Sequence, residues 1–232
     1  MDTYPMRINK YLAHRGLATR KSADELITRG KVTINGRKAV LGDKINEKDI
    51  VEVSGNNTAQ FKYFAYNKPV GVVSTNPQNG ERSVVEMARF EKSFFPVGRL
   101  DKDSHGLIII TNDGRITDRL LNPENLHEKE YVVEVDHKYT PAFVRHMQDG
   151  IVIGEYKTKS AVVKKINDTT FSIILHEGKN RQIRKMTEKL GYTVIDLKRI
   201  RVQNIDLKKI APNSFSEIVG HEKEIFLKSL GL

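Results

Sequence analysis

The chain has no cysteine. Disulfide bonds, cysteine-metal centres and a thiol nucleophile are therefore excluded. It also lacks any long apolar stretch. The longest uninterrupted aliphatic run, Leu107-Ile108-Ile109-Ile110, has four residues. A membrane-spanning helix needs roughly 20. The N-terminus, Met1-Asp2-Thr3-Tyr4-Pro5-Met6, has no apolar core of the secretory kind. A cytoplasmic protein with no membrane partner is expected. A phosphate-binding P-loop and a dinucleotide glycine fingerprint are absent too. His127-Glu128 is not followed by a second His at the fifth position, and the remaining His residues are scattered. No metal site is expected.

Negative charge is in short supply. There are 39 Lys and Arg against 29 Asp and Glu, a net charge of +10. A polyanionic partner follows, nucleic acid above all. The surplus is uneven, for residues 7–38 hold nine Lys or Arg against Asp24 and Glu25 alone. The first forty residues are thus the expected electrostatic anchor. At 232 residues the chain has room for one large domain, or a small and a larger one.

Residues 7–15 read as a short helix, with Ile8, Tyr11 and Leu12 on one face. Gly16 stops it. Thr19 is placed to cap a second helix carrying Ala23, Leu26 and Ile27, which Gly30 ends. Val32-Thr33-Ile34, Asn35-Gly36 and Arg37-Lys38 predict a hairpin, because Asn-Gly favours a primed turn. A strand at 50–53 closes a unit expected to span 1–54. Arg7 and Lys10 share a helix face, with Arg15, Arg20, Lys21, Arg29, Lys31, Arg37 and Lys38 around it. This is either a solvated basic surface or a clamp for nucleic-acid phosphates. Residues 55–60 are polar and patternless, hence a linker. A second domain is expected over 61–232.

That second domain is organised around Gly98-Arg99-Leu100-Asp101-Lys102-Asp103-Ser104-His105-Gly106-Leu107. The apolar run that follows reads as a buried strand. The loop before it admits three readings. It is a charged surface turn, or a calcium loop, or a loop presenting a reactive carboxylate. The calcium reading fails at its twelfth position, where Asn112 stands instead of the bidentate Glu. Further along, a strand is expected at 61–66, then the turn of Asn67-Lys68-Pro69-Val70-Gly71. There Lys68 serves either phosphate or only the surface. Ser83 caps a short helix, and another follows Asn112-Asp113-Gly114. Tyr131 begins a strand, either as a core residue or as a functional one. Thr140 caps a helix ended by Gly150. Strands are expected near 158–166 and 170–175. Ile183, Met186 and Leu190 mark a helix with Arg181 and Arg184 near its N-terminus, where peptide N–H groups favour anions. A strand at 194–202 and a helix near 221–229 complete the chain.

The run Gly-Arg-Leu-Asp-Lys-Asp-Ser-x-Gly-Leu resembles the signature loop of the ribosomal-RNA pseudouridine synthases of the RsuA branch. Asn67-Lys68-Pro69-x-Gly71, Lys129-Glu130-Tyr131 and Gly178-x-x-Arg181-Gln182-Ile183-Arg184 resemble its other motifs, in order. Arg-Ile-Asn-Lys-Tyr-Leu, Thr-Arg-Lys-Ser-Ala and Gly-Lys-Val-x-Ile-Asn-Gly are similar to the alpha-L RNA-binding motif. The resemblance implies that Asp101 is the catalytic nucleophile, that Tyr131 packs on the target base and assists proton transfer, and that Arg181 pairs with Asp101. Arg99 is the second candidate for that pairing. Leu197 matches an apolar residue of the uracil pocket. Arg99, Lys129, Leu197, Arg184 and Lys68 are the candidate substrate contacts.

The implied fold is α+β, a mixed and largely antiparallel sheet flanked by helices, with a small N-terminal RNA-binding domain. The implied reaction detaches a uracil, rotates it and rejoins it through carbon five, in RNA of the large ribosomal subunit. Small-subunit rRNA or tRNA is the alternative substrate. It consumes no energy source and uses no cofactor, which agrees with the missing motifs. The lack of cysteine also separates this chain from enzymes that methylate pyrimidines through a thiol. A non-catalytic RNA-binding factor on the same fold is the rival reading, and a monomer is expected.

Overall fold

The computed structural model describes residues 4–18, 20–54 and 60–232, without the side chains of Arg20 and Lys21. The expected cap Thr19 and most of the expected linker, 55–59, lie outside the described residues.

The N-terminal unit runs β1 (Met6–Arg7), α1 (Ile8–His14), α2 (Arg20–Thr28), β2 (Val32–Ile34), β3 (Arg37–Lys38), β4 (Lys44–Ile45) and β5 (Val51–Val53). Arg7 is extended and precedes α1 rather than opening it. Asn35 and Gly36 both have positive φ, 50° and 79°, as the primed turn between β2 and β3 demands. Ile8, Leu12, Ala23, Ile27, Val32 and Ile45 form its core. Arg7, Lys10, Arg15, Arg29, Lys31, Arg37 and Lys38 are all exposed. Arg37 is tied to Asp43 at 2.9 Å.

The larger part contains β6 (Tyr63–Lys68), α3 (Val84–Met87), β7 (Phe95–Val97), β8 (His105–Thr111), α4 (Arg115–Leu121), β9 (Lys129–Val135) and α5 (Pro141–Asp149). It continues with β10 (Val152–Ile153), β11 (Tyr156–Lys157), β12 (Val162–Lys165), β13 (Thr170–Leu175) and α6 (Gln182–Lys189). It ends with β14 (Val194–Val202), β15 (Ile205–Asp206), β16 (Phe215–Glu217) and α7 (Gly220–Ser229). Nine strands make one sheet in the order β12-β13-β9-β14-β8-β6-β16, with β15 on β14 and β7 on β8. Among the strands of the described residues, β14 and β8 alone pair in parallel. The fold is therefore α+β, with a mixed and mostly antiparallel sheet.

Leu107 to Ile110 are essentially inaccessible, because β8 is an inner strand between β14 and β6 with apolar cores on both faces. That is what an unbroken apolar run requires. Two segments depart from expectation. The strand expected at 61–66 runs from Tyr63 to Lys68, so Asn67 and Lys68 pair with Leu107 and Gly106 inside the sheet rather than in a turn. The strand expected near 158–166 shrinks to Val162–Lys165. A separate hairpin of β10 and β11 precedes it, turned at Gly154 with φ 65°.

Candidate active site

β7 and β8 are antiparallel neighbours, so the loop between them, residues 98–104, is anchored in the sheet at both ends. Side chains from elsewhere fix its middle. Ser74 Oγ donates to Leu100 O at 2.8 Å and accepts from Leu100 N–H at 2.9 Å. Gly71 N–H donates to Lys102 O at 2.8 Å. Lys68 Nζ donates to Ser104 O at 2.6 Å and to Pro69 O at 3.0 Å. Arg184 donates to Asp103 O at 3.0 Å, to Ser104 Oγ at 3.2 Å and to Val194 O at 3.2 Å. His105 Nε2 lies 2.9 Å from Asp196 on β14. These contacts fix the backbone on both sides of Asp101 before any ligand arrives.

Asp101 lines a cleft of about 610 Å³ that also takes in Tyr131, Arg181, Arg99, Lys129 and Leu197. These residues come from four separate segments. Tyr131 and Leu197 are 8 % and 5 % exposed and make an apolar part of its wall. Among the described residues the remaining cations at the cleft are Lys102, Lys179 and Arg199, against Glu177 and Asp101 as acids. A cleft of this charge suits an anionic polymer carrying a planar, apolar-faced group.

Arg181 stands 3.8 Å from Asp101. Its tighter partner is Asp103, held by two parallel hydrogen bonds of 3.1 and 3.0 Å. Burial alone would push the Asp103 carboxyl up. The hydrogen bonds from Arg181 and the charges of Arg184 and Arg181 outweigh it and hold the carboxyl below its usual range.

Arg181 itself sits at φ 51°, a left-handed conformation unusual for a side chain with a Cβ. The turn before α6 enforces it. Gln182 accepts from Lys179 N–H at 3.0 Å and donates to Glu177 at 2.8 Å. Buried Glu177 also accepts from Lys159 N–H at 3.0 Å and from the Tyr156 hydroxyl.

Two candidate substrate contacts are corrected. Lys68 is fully buried beneath the loop and cannot reach a phosphate. Burial, with Arg199 nearby, pulls its ammonium down to about 8 against the opposing charges of Asp103 and Asp101. Arg184 spends its terminal nitrogens on the loop and on β14, and does not line the cleft. Lys129 does line it. Burial and then Arg199 pull its ammonium to about 8.

Sequence reading passed over Asp103, Glu177, Gln182 and Arg199. The signal for Asp103 was its place two residues from Asp101. For Arg199 it was strand parity: position 199 shares a face with buried Leu197, where an apolar residue is the norm.

The RNA pseudouridylate synthase family matches residues 62–189, and the S4 domain family matches residues 6–51. The chain belongs to the RNA pseudouridine synthases. Within them it falls in the RsuA family, and it is 41 % identical over 223 residues to the dual-specificity RNA pseudouridine synthase RluF of Escherichia coli K12. That match covers 94 % of this chain and 77 % of RluF. Ribosomal large subunit pseudouridine synthase B of Bacillus subtilis is 35 % identical, with 93 % of each chain covered. A crystal structure of a pseudouridylate synthase shares the fold at TM-score 0.70 and 23 % identity, covering 97 % of this chain and 99 % of that one. Among the described residues no helix is long and apolar enough to cross a membrane.

Proposed function

We propose that this chain converts a uridine of structured ribosomal RNA, in the large subunit, to pseudouridine without a cofactor. Asp101 is the nucleophile, Tyr131 the residue against the base, and Arg181 the cation beside the carboxylate. Residues 1–54 serve as an RNA clamp, 55–60 as a linker, and 61–232 as the catalytic domain. The observation that carries this reading is the clamped loop holding Asp101 in one cleft with Tyr131, Leu197 and the Arg181 guanidinium. The large subunit as substrate follows the Bacillus subtilis relative's name.

A uridine enters the cleft only after leaving its stack, at a cost of a few kcal/mol. Exposed Arg99, Lys102 and Lys179 at the mouth attract the flanking phosphates and offset part of that cost. The carboxylate then either bonds to the sugar carbon or takes a ribose proton. Once the base has turned, carbon five bonds to the sugar and gives up its proton, with Tyr131 alongside.

The test is tritium release from RNA transcribed with carbon-five-tritiated uridine. Wild-type protein releases tritium from ribosomal RNA, and Asp101→Asn does not, while its RNA affinity is retained. Mapping pseudouridine in cellular rRNA with and without the protein then identifies the uridine. A wild-type protein that releases nothing from ribosomal or transfer RNA would overturn the reading in favour of a binding factor.

A further inference from the structure

Arg199 lies in β14, 4 % exposed, on the wall of the cleft. Its register partners are Tyr131 on β9 and Gly106 on β8. Directly opposed residues of antiparallel strands project to the same face, so Arg199 and Tyr131 stand side by side. Its Nε donates to Leu107 O at 2.6 Å. Among the described residues no carboxylate lies within ion-pairing distance, and its terminal nitrogens donate to no protein acceptor. Lys129, a second buried cation, lies two residues from Tyr131 on the same face of β9.

Buried cations without an anion are costly, and proteins keep them where a ligand supplies the missing charge. Two parts of a nucleotide could do so, the phosphate or the base. Depth separates them. The exposed cations stand at the mouth, where a polymer's backbone must run. Arg199 is buried beside Tyr131 and Leu197, whose apolar side chains suit a base rather than a phosphate.

We propose that Arg199 donates to a carbonyl oxygen of the target uracil and takes up the negative charge the base acquires when it is detached. This rests on the uridine reading given above. The bond between base nitrogen N1 and sugar carbon C1′ breaks, and its electron pair leaves with the base. That is so whether Asp101 bonds to C1′ or accepts the C2′ proton. The pair spreads over the ring onto the carbonyl oxygens, where a fixed guanidinium is more effective than in the neutral ground state. After rotation the pair forms the bond from C5 to C1′. The C5 proton passes to solvent and N1 takes one up; Asp101 either leaves C1′ as the new bond forms or returns its proton to C2′, and nothing is oxidised or reduced.

The experiment compares uridine with 5-fluorouridine at the target position of one RNA. Loss of the N1-linked nucleoside is followed by nuclease digestion in single turnover. Fluorine withdraws electrons and stabilises the detached base, so it lessens the need for Arg199. Arg199→Gln is expected to slow the uridine RNA by about 100-fold or more, the loss found on removing one donor to a developing oxyanion. The fluorinated RNA should slow distinctly less, and Arg199→Lys should fall between. The ratio of the two rates is taken within one protein sample, so a poorly folding variant does not alter it.

RNA affinity and its salt dependence stay as in wild type. A rate ratio equal to that of wild type would overturn the proposal. So would weakened binding with a salt slope reduced by about one, which assigns Arg199 to a phosphate. An inactive wild-type protein would defeat the uridine reading itself; an active one with an unchanged ratio defeats this assignment alone.

Discussion

Arg181 grips Asp103 with both terminal nitrogens, at 3.1 and 3.0 Å, while standing 3.8 Å from Asp101. One carboxylate thus orients the guanidinium that stands beside another. A bidentate fork fixes direction as well as distance. In Asp103→Asn one of the two oxygens is lost and Arg181 gains freedom to swing. Misplacement of about 1 Å near reacting atoms can cost about 100-fold. We expect a fall in kcat of that order with little change in RNA affinity, read by single-turnover isomerisation and filter binding. Wild-type kcat in the variant would remove Asp103 from this role.

Gln182 braces the turn that presents Arg181, through Lys179 N–H and Glu177. Gln182→Ala removes both contacts and leaves buried Glu177 short of a donor. A buried acceptor left unsatisfied costs about 1–3 kcal/mol. We expect a loss of stability in that range by urea unfolding, together with slower isomerisation. Full activity at reduced stability would confine Gln182 to the scaffold.

Gly106 allows β8 to pass close to β14. A Cβ there would sit 2.2 Å from Arg199 O, at a φ of 102° that only glycine adopts freely. The obstacle is backbone, so no side chain can yield. Gly106→Ala is expected to cost more than about 2 kcal/mol, from strain and separation of the two strands. Thermal unfolding measures it, and a near-wild-type Tm would contradict the close approach.

Lys129 titrates near 8 in the folded chain, against an ordinary value of 10.5. Between those values the unfolded chain binds more protons, so stability rises with pH across that window. Below about 8 both states are protonated and the cost of burying the charge is fully present. Lys68 behaves in the same way. Each contributes at most about 1.4 kcal/mol per pH unit. Lys129→Met removes one of the two, so the rise between pH 8 and 10.5 should flatten and stability at neutral pH should increase. Urea midpoints across that range test this; an unaltered slope would refute it.

The exposed cations of the N-terminal unit predict a salt effect. Each phosphate contact adds about 0.7–0.9 to the slope of log affinity against log salt. Replacing Arg7 and Lys10 together by Ala should reduce that slope by about 1.5 and leave single-turnover kcat at saturation unchanged. An unchanged slope would assign those two residues to solvent.

Much of this architecture can be read from the residues in order. The apolar run 107–110 marked a buried strand, Asn35-Gly36 the hairpin, and the spacing of Ile183 and Met186 a helix. The loop around Asp101 was legible because its motif is local. What stayed hidden depends on packing between distant segments. Lys68 reads as a surface cation, since nothing nearby reveals that residues 102–104 fold over it. Arg184 looks free for the same reason, since its two acceptors in the loop lie 80 or so positions away. Asp103 lost Arg181 to Asp101 in the reading, because sequence orders residues but does not measure 3.0 against 3.8 Å. The hairpin at 152–157 was missed because each of its strands has only two residues.

Ser74, Gly71, Lys68 and Arg184 together tie down the backbone of the loop that carries Asp101. On the uridine reading, deformation then falls to the nucleic acid. Choice among uridines should accordingly follow how readily each helix melts locally. Residues beside bulges, mismatches or loop closures would react ahead of identical bases locked in regular duplex.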